Sequence, residues 1–244
     1  MPNRPFWKLL PLKRHGPAPG WLDRQPADFQ EAFRSIAEYQ EYESGDKIWR
    51  VGQKVTAILG VIEGCVALNW TSAENRTQLL HLWWPGDWTG DAEFISGSHS
   101  FATQQARTDT KVVCVPHDKL RALLDKHPRW WSSIAELGSE HSVLASDAVM
   151  DLMVRDPVAR CIAVLLRAGG GRIQSDAQPA STVIPISQGE LAIMANLHRN
   201  TVSHALKRLA DEGLIKHEYR CIELMNISEL RRRVIEGSDY EVGP

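Results

Sequence analysis

Apolar positions near the C-terminus repeat with the period of an α-helix in two successive segments. The first begins at Ser187, where an S-x-x-E pattern with Glu190 is typical of a helix N-cap. The second begins near Arg199 and places four apolar residues on one face: Val202, Ala205, Leu206 and Leu209. Asn196, between the segments, tolerates a left-handed turn, and Gly213 is a typical stop after a helix. The pattern predicts a helix, a sharp turn and a second helix.

A β-hairpin is predicted directly after these two helices. The apolar segment 214–216 is followed by a polar turn over 217–220 and by a second strand over 221–225. Upstream, residues 182–186 form a short extended segment that leads into the first helix. A two-helix corner of an ordinary globular protein shares the helical pattern, but the added hairpin favours a winged helix.

The outer face of the second helix is polar and basic, and no acidic residue occurs from 199 to 210. A helix with such a face can place hydrogen-bonding groups against base edges in the major groove of DNA. The residues predicted to contact DNA are Arg199, Asn200, Ser203, His204 and Lys207, together with Ser187 and Gln188 of the first helix.

The segment ISQGELAIMANLHRNTVSHALKRLADEGLI resembles the DNA-binding domain of the CRP/FNR family, the cyclic-AMP receptor protein and its relatives. The resemblance extends weakly over most of the chain and implies a dimeric transcription regulator. In that family an arginine, a glutamate and a second arginine usually read bases, and the matching positions hold Arg199, Asn200 and His204. Asn pairs with adenine, whereas Glu accepts a hydrogen bond from cytosine. We therefore expect an operator sequence that differs from the consensus of the best-known family members.

His204 has two interpretations. If it reads a base, operator affinity rises as histidine gains a proton below roughly pH 6.5. The alternative is a histidine that merely lies on a solvated helix face.

The middle of the chain predicts an antiparallel β-barrel or roll. A short helix over residues 28–39 precedes short β-branched and apolar segments from Tyr42 to Val115. Turns separate these segments at 44–46, 51–53, 63–64, 72–75, 85–87 and 96–98. This region resembles the family's β-roll, so the expected fold class is α+β: an antiparallel β-roll, a long helix and a C-terminal winged helix-turn-helix.

The resemblance also implies an effector pocket in the roll. Family members that bind a cyclic nucleotide carry a glutamate after a glycine for the ribose, and an Arg-Ser pair before an alanine for the phosphate. The matching positions here are Gly90, Asp91, Ser100, Phe101 and Ala102. Without the arginine, the phosphate loses a charge-assisted bidentate partner. We therefore expect an effector other than cyclic AMP, of unknown identity.

Other effector chemistries remain open. Five tryptophans, Trp49, Trp70, Trp83, Trp84 and Trp88, suit either a flat apolar effector or a filled core. His81 and His99 are candidate haem ligands, although no Cys-x-His pair occurs. The cysteine cluster of iron–sulfur relatives is missing too. A Soret absorption band would identify this haem- or redox-sensing alternative.

Residues 119–125 and a longer stretch from Pro128 predict the central helices. The long helix carries a heptad-like stripe of Ile134, Leu137, His141, Leu144, Ala148 and Leu152. Relatives use this helix as a two-stranded dimer seam, and small Ala145 and Ala148 allow close approach, although the stripe could also pack on its own roll. Asp156 before Pro157 predicts the cap of a new helix that continues to Ala168, which makes residues 154–156 a hinge.

Composition agrees with a DNA-binding protein of two modest domains. The 244 residues are 43% hydrophobic and 24% charged, and no apolar run reaches membrane-spanning length. We expect a cytoplasmic protein, since segment 6–10 is too short for a signal-peptide core. The net charge is −2, yet residues 155–235 hold 12 Lys and Arg against 8 Asp and Glu. Scattered Cys65, Cys114, Cys161 and Cys221 predict buried thiols rather than a zinc or disulfide site.

The expected organisation is an irregular extension (1–28), a β-roll sensor domain (29–118), helices including the dimer helix (119–153), a winged helix (154–235) and an acidic tail (236–244). No G-x-S-x-G or H-E-x-x-H motif occurs, and Gly169–Arg172 lacks the G-K-[ST] ending of a phosphate loop, so no enzyme activity is expected. Expected partners are double-stranded DNA, a second copy, a small-molecule effector and, as a further candidate, RNA polymerase. The rival function is a ligand-binding module that docks on a protein partner.

Overall fold

The computed structural model describes residues 20–71, 77–170 and 182–237. The chain divides into two compact units, residues 1–143 and 144–244, with the boundary inside the long helix. The expected N-terminal extension, apart from its last residues, and the acidic tail, apart from its first two, lie outside the described residues. No helix within the described ranges is both long and apolar enough to cross a membrane.

Within the described residues, the N-terminal elements of the first unit are a 3-10 turn, Leu22–Arg24, and helix α1, Ala27–Ser35. The helix predicted to reach residue 39 is therefore too long, because strand β1 already occupies Glu38–Tyr42. All five residues of β1 pair antiparallel with a later strand over residues 110–114. This ladder lies far away in sequence and overrides the local helical pattern.

Two four-stranded antiparallel sheets form the rest of the roll, which confirms the predicted antiparallel architecture. The remaining strands are β2 Lys47–Trp49, β3 Ala57–Glu63, β4 Val66–Thr71, β5 Thr77–Trp83, β6 Trp88–Thr89, β7 Thr103–Ala106 and β8 Thr110–Pro116. Their orders are β1-β8-β3-β6 and β2-β7-β4-β5. The turn predicted at 72–75 lies outside the described residues.

A short helix that the sequence analysis did not predict, α2 Asp91–Ser96, precedes the turn expected at 96–98. Gly90 before it and Gly97 after it both have positive φ, 96° and 69°, a region that favours glycine. Six residues are too few to show helical periodicity, which explains the omission.

Trp21 joins the N-terminal segment to the core of the roll. Its ring makes edge-to-face contacts with Phe29, Phe33 and Trp88 at 5.5 to 5.9 Å between centroids, and its Nε1 donates to the carbonyl of Ser133 at 2.9 Å. Through Trp21, the last residues of the N-terminal segment therefore pack against the body of the roll. Trp88 in the same cluster shows that core filling was the right interpretation for that tryptophan.

Helix α3 spans His117–Lys126, and a 3-10 turn, Pro128–Trp130, leads into α4, Trp131–Met153. The first half of the predicted heptad stripe is wrong as a dimer seam, because Ile134 and Leu137 are buried in the core of their own roll. Exposed apolar side chains occur farther along α4: Val143, Val149, Met150, Leu152 and Met153.

The second unit contains the predicted winged helix. Helix α5, Pro157–Ala168, is capped by Asp156, whose Oδ1 accepts from the Ala159 N–H at 2.7 Å, as expected. The following elements are β9 Thr182–Ile184, α6 Gln188–Met194, α7 Arg199–Asp211, β10 Ile215–Glu218, β11 Cys221–Leu224 and α8 Ile227–Gly237.

An antiparallel sheet of order β10-β11-β9 forms the wing. The wing turn is tighter than predicted: β10 continues through Glu218, so only Tyr219 and Arg220 lie between the strands. Arg220 has φ 60°, which closes this two-residue turn.

Candidate DNA-reading surface and effector pocket

The start of α6 is fixed by the predicted capping box. Ser187 Oγ accepts from the Glu190 N–H at 3.2 Å, and Glu190 Oε2 accepts from the Ser187 N–H and hydroxyl, each at 2.8 Å. These bonds satisfy donors that the first helical turn would otherwise leave unpaired. The hydroxyl of Ser187 is thus engaged in the N-cap. Gln188, the first residue of α6, is half-buried.

The turn between α6 and α7 has the geometry predicted for a helix-turn-helix. Asn196 adopts φ 49°, and the Leu197 N–H donates to the carbonyl of Ala192 at 2.9 Å. His198 caps α7, with Nδ1 accepting from the Asn200 N–H at 3.4 Å. This turn fixes the direction in which α7 leaves the bend.

The packing of α7 determines which residues face outward. Its apolar stripe, Val202, Ala205, Leu206 and Leu209, is buried, and α7 packs against α5 and α6. The structure brings the five residues predicted on the opposite face together as exposed side chains: Arg199, Asn200, Ser203, His204 and Lys207. Within the described ranges, neither Arg199 nor Lys207 forms an ion pair, so both cations face outward without a neutralising acid.

The wing adds exposed groups that were not predicted to contact DNA: Lys216 was expected in the first strand, and His217 and Tyr219 in the turn. Lys216, His217 and Tyr219 are exposed, Tyr219 to 79%. Their signal was the polar run after Ile215, which marks strand residues outside the core.

Charge pairs at the end of α7 join it to α8. Arg208 Nε lies 3.0 Å from Glu212 Oε1, and Glu212 also pairs with Arg233. The hydrogen bond from Arg208, with a further contribution from Arg233, lowers the pKa of Glu212. Exposed Arg208 is therefore engaged within the protein.

In the roll, the residues at the expected ribose position form an internal pair. Gly90 has φ 96°, and a Cβ there would lie 2.8 Å from the carbonyl oxygen of Ala57, so the position requires glycine. Asp91 is buried, and its Oδ1 lies 2.9 Å from Nδ1 of His141 on α4. The other ring nitrogen of His141 lies 3.0 Å from the carbonyl oxygen of Trp88.

His141 is held as a cation by this geometry. A carboxylate and a carbonyl both accept hydrogen bonds, so both ring nitrogens can donate only when the imidazole is doubly protonated. Burial lowers the pKa of His141, but the hydrogen bond and charge of Asp91, the Trp88 carbonyl and the charge of Asp87 outweigh it, and the net pKa is raised.

The expected phosphate position carries no cation. Ser100 is buried and donates from Oγ to the carbonyl of Ala102 at 2.8 Å, whereas Phe101 is 58% exposed and Ala102 is buried. Glu93, which was not among the predicted site residues, is a buried acid of α2 that is hydrogen-bonded to Ser100. Burial raises the pKa of Glu93. The pocket positions therefore combine two acids, a hydroxyl and one histidine.

The candidate haem ligands have different surroundings. His81 is buried edge-to-face against Trp83 at 4.5 Å between ring centroids, whereas His99 is exposed. The structure does not present them as an equivalent pair, and no group of three or more His, Cys, Asp or Glu side chains suited to a metal occurs in the described part of the chain.

All four cysteines are buried free thiols, as predicted. Burial raises the pKa of Cys114 and Cys221 to about 11 and that of Cys161 to about 12, and it raises the pKa of Cys65 as well. Since the thiolate is the reactive form, these thiols are poorly suited to redox sensing at neutral pH.

Comparison with known proteins decides the family. The model of the cyclic nucleotide-binding domain matches residues 39–127, and that of the Crp-like helix-turn-helix domain matches residues 159–233. The chain belongs to the CRP/FNR family. Like other members of this family, it is a transcription regulator, with a cyclic-nucleotide-binding type of domain followed by a helix-turn-helix domain.

Individual relatives agree with this assignment to the CRP/FNR family. The chain is 27% identical to the cyclic AMP receptor protein of Thermus thermophilus over 206 residues, which cover 83% of this chain and 87% of that protein. The solved structure of FixK2 from Bradyrhizobium japonicum matches 81% of this chain and 96% of its own, with a TM-score of 0.67 and 22% identity. The solved structure of a CRP/FNR-family transcriptional regulator from Thermus thermophilus matches 81% of this chain and 98% of its own, with a TM-score of 0.62 and 23% identity. The two structures show a shared fold.

The Asp91–His141 pair of this CRP/FNR regulator makes its stability depend on pH. Because the pKa of His141 is raised by folding, its stabilising contribution is complete below the ordinary histidine value of about 6.5 and is lost as pH rises through the folded value. We expect the unfolding midpoint of the wild type to exceed that of His141→Gln by a few degrees near pH 6, roughly the effect of 1 kcal/mol on a domain of this size. The difference should shrink by about pH 9.

Calorimetry of both proteins across this pH range measures the effect. His99→Gln, at an exposed histidine, is the control and should follow the wild type at every pH. A difference between wild type and His141→Gln that stays constant with pH would contradict the imidazolium assignment.

Proposed function

We propose that this regulator is a homodimer that binds an inverted-repeat operator through two copies of α7 and responds to an effector in its β-roll other than cyclic AMP. The observation that carries the proposal is the exposed face of α7 between residues 199 and 207, which holds no acidic residue. Within the described part of the chain, Arg199 and Lys207 on this face form no ion pair. Such a face suits a polyanion better than a protein partner, which favours DNA over the docking-module alternative.

A second copy is the partner that the long helix supports. Val143, Val149, Met150, Leu152 and Met153 are exposed along its second half. A cluster of exposed apolar side chains on one stretch of helix is typical of an interaction site, and small exposed Ala145 allows a second helix to approach closely. In this proposal, residues 29–118 sense, 119–153 include the dimer helix, and 154–235 read DNA.

Selection of bound DNA from a random library by the full-length protein tests this function. Two symmetric recognition helices read one face of B-DNA only about 34 Å apart, so the selected sites should be inverted repeats with half-sites about one helical turn apart. Enrichment of a single, non-palindromic half-site would contradict the dimer model, and the absence of any sequence enrichment would contradict sequence-specific binding.

Single substitutions on α7 separate base reading from phosphate contact. Arg199→Ala should cost roughly 1–3 kcal/mol of operator binding and relax preference at one base position. Lys207→Ala should weaken binding to all sequences alike and reduce the salt dependence by about one counterion.

Electrophoretic mobility shifts at several salt concentrations, with the selected operator and single-base variants, provide both readouts. Arg34→Ala on α1 is a matched control, because it removes an exposed arginine from the other unit and should leave DNA binding unchanged. If Arg199→Ala weakened binding to all DNA sequences equally, Arg199 would not be a base-reading residue.

The chemistry of the pocket positions argues against a cyclic nucleotide. Asp91 is already engaged by His141, Glu93 is a second buried acid, and Ser100 and Phe101 provide no positive charge for a phosphate. A buried phosphate needs charge-assisted donors to offset its loss of hydration.

We expect titration calorimetry with cyclic AMP up to about 1 mM, equivalent to a binding free energy near −4 kcal/mol, to show no saturable heat. Operator affinity should also be unchanged by the nucleotide. A dissociation constant in the micromolar range would overturn this part of the proposal.

A further inference from the structure

A buried ion pair lies where the long helix meets the DNA-reading unit. Asp151, in the last turn of α4, and Arg167, in the last turn of α5, have side chains that are 0% and 5% exposed. Arg167 Nε donates to Asp151 Oδ2 at 2.7 Å. Both residues belong to the second compact unit. The pair therefore joins two helices whose ends are separated only by residues 154–156.

Stability alone does not account for this pair. Removing two charges from water costs about as much as their attraction returns, and apolar replacements of similar volume are often equally stable. An acid in the last turn of a helix also opposes the helix dipole. The flat guanidinium bonds a carboxylate in a restricted geometry, so the pair fixes the relative orientation of the two helices. Apolar residues pack without such directional bonds.

The surrounding contacts fix the same junction. Arg160 Nε donates to the carbonyl of Val154 at 2.7 Å, and Asp156 caps α5. Val154 itself is buried. The first and last residues of the expected hinge, 154–156, are therefore both hydrogen-bonded to α5. Helix α5 in turn packs against α7. Helix α5 therefore lies between the end of α4 and the recognition helix in the chain of packed elements.

We infer that Asp151 and Arg167 are positioning residues for DNA reading: they fix the angle between the end of the dimer helix and α7, and thereby the half-site spacing that the dimer accepts. This inference rests on the proposed dimer and operator. Neither residue touches DNA. Their effect should appear in the choice between operators of different spacing rather than in the recognition of a half-site sequence.

The test compares full-length wild type with the double variant Asp151→Leu/Arg167→Met on the selected operator and on operators with one base pair inserted or removed between half-sites. Wild type should prefer its own spacing by about tenfold, because each base pair rotates and displaces the half-site. The double variant should melt no lower than wild type, yet its preference should fall below about threefold. Arg232→Met, which removes the ion pairs of an exposed arginine with Glu229 and Glu236 on α8, is the matched control and should keep the wild-type preference.

Asp151→Asn, which keeps the shape and removes the charge, is the second variant and should also lose spacing preference. A folded variant that keeps the full wild-type preference overturns the inference, as does loss of folding in both variants, since the pair would then serve stability. Lack of any preferred spacing in wild type would instead contradict the proposed dimeric operator. The two failures are thus distinguishable.

Discussion

Burial of one apolar stripe on α7 is the constraint on which the DNA-reading unit depends. Val202, Leu206 and Leu209 are fully enclosed, and burying each such side chain contributes roughly 1.5–3 kcal/mol. A rotation of α7 by one residue would expose this stripe and force Arg199 or Lys207 into the core, where a lone charge is not tolerated. The same packing that stabilises the unit therefore selects the face presented to solvent. Recognition chemistry is, in this sense, a consequence of core packing.

Charged side chains organise the long helix in a comparable way. His141 joins it to the roll through Asp91 and the carbonyl of Trp88, and Asp151 joins its last turn to α5 through Arg167. Each contact lies within its own compact unit. Exposed apolar residues lie from Val143 to Met153 on the same helix, and they form the surface proposed to bind a second copy. An effector that competes for Asp91 would act directly on the helix that carries this surface, which would connect ligand binding to the proposed dimer.

The sequence predicted local features well because their signals are local. The S-x-x-E cap, the Asn196 turn and the outward side chains of α7 depend on neighbours within four residues. Contacts between residues that are distant in sequence could not be predicted in this way. The end of α1 was misplaced because β1 pairs with β8, about seventy residues later. The Asp91–His141 and Asp151–Arg167 pairs arise from tertiary packing, and no spacing in the sequence indicates either one. Ile134 and Leu137 were wrongly assigned to the dimer seam. A helical periodicity shows which residues are buried, but it does not show whether they pack on the same chain or on a second copy.

In the proposed dimer, two copies of α7 present their outer faces side by side to one face of DNA. Hydroxyl-radical footprinting of the full-length protein on its selected operator measures this most directly. We expect two equally protected patches on the same face of the duplex, related by twofold symmetry and centred about 34 Å apart. A single protected patch, or two patches on opposite faces of the duplex, would contradict it.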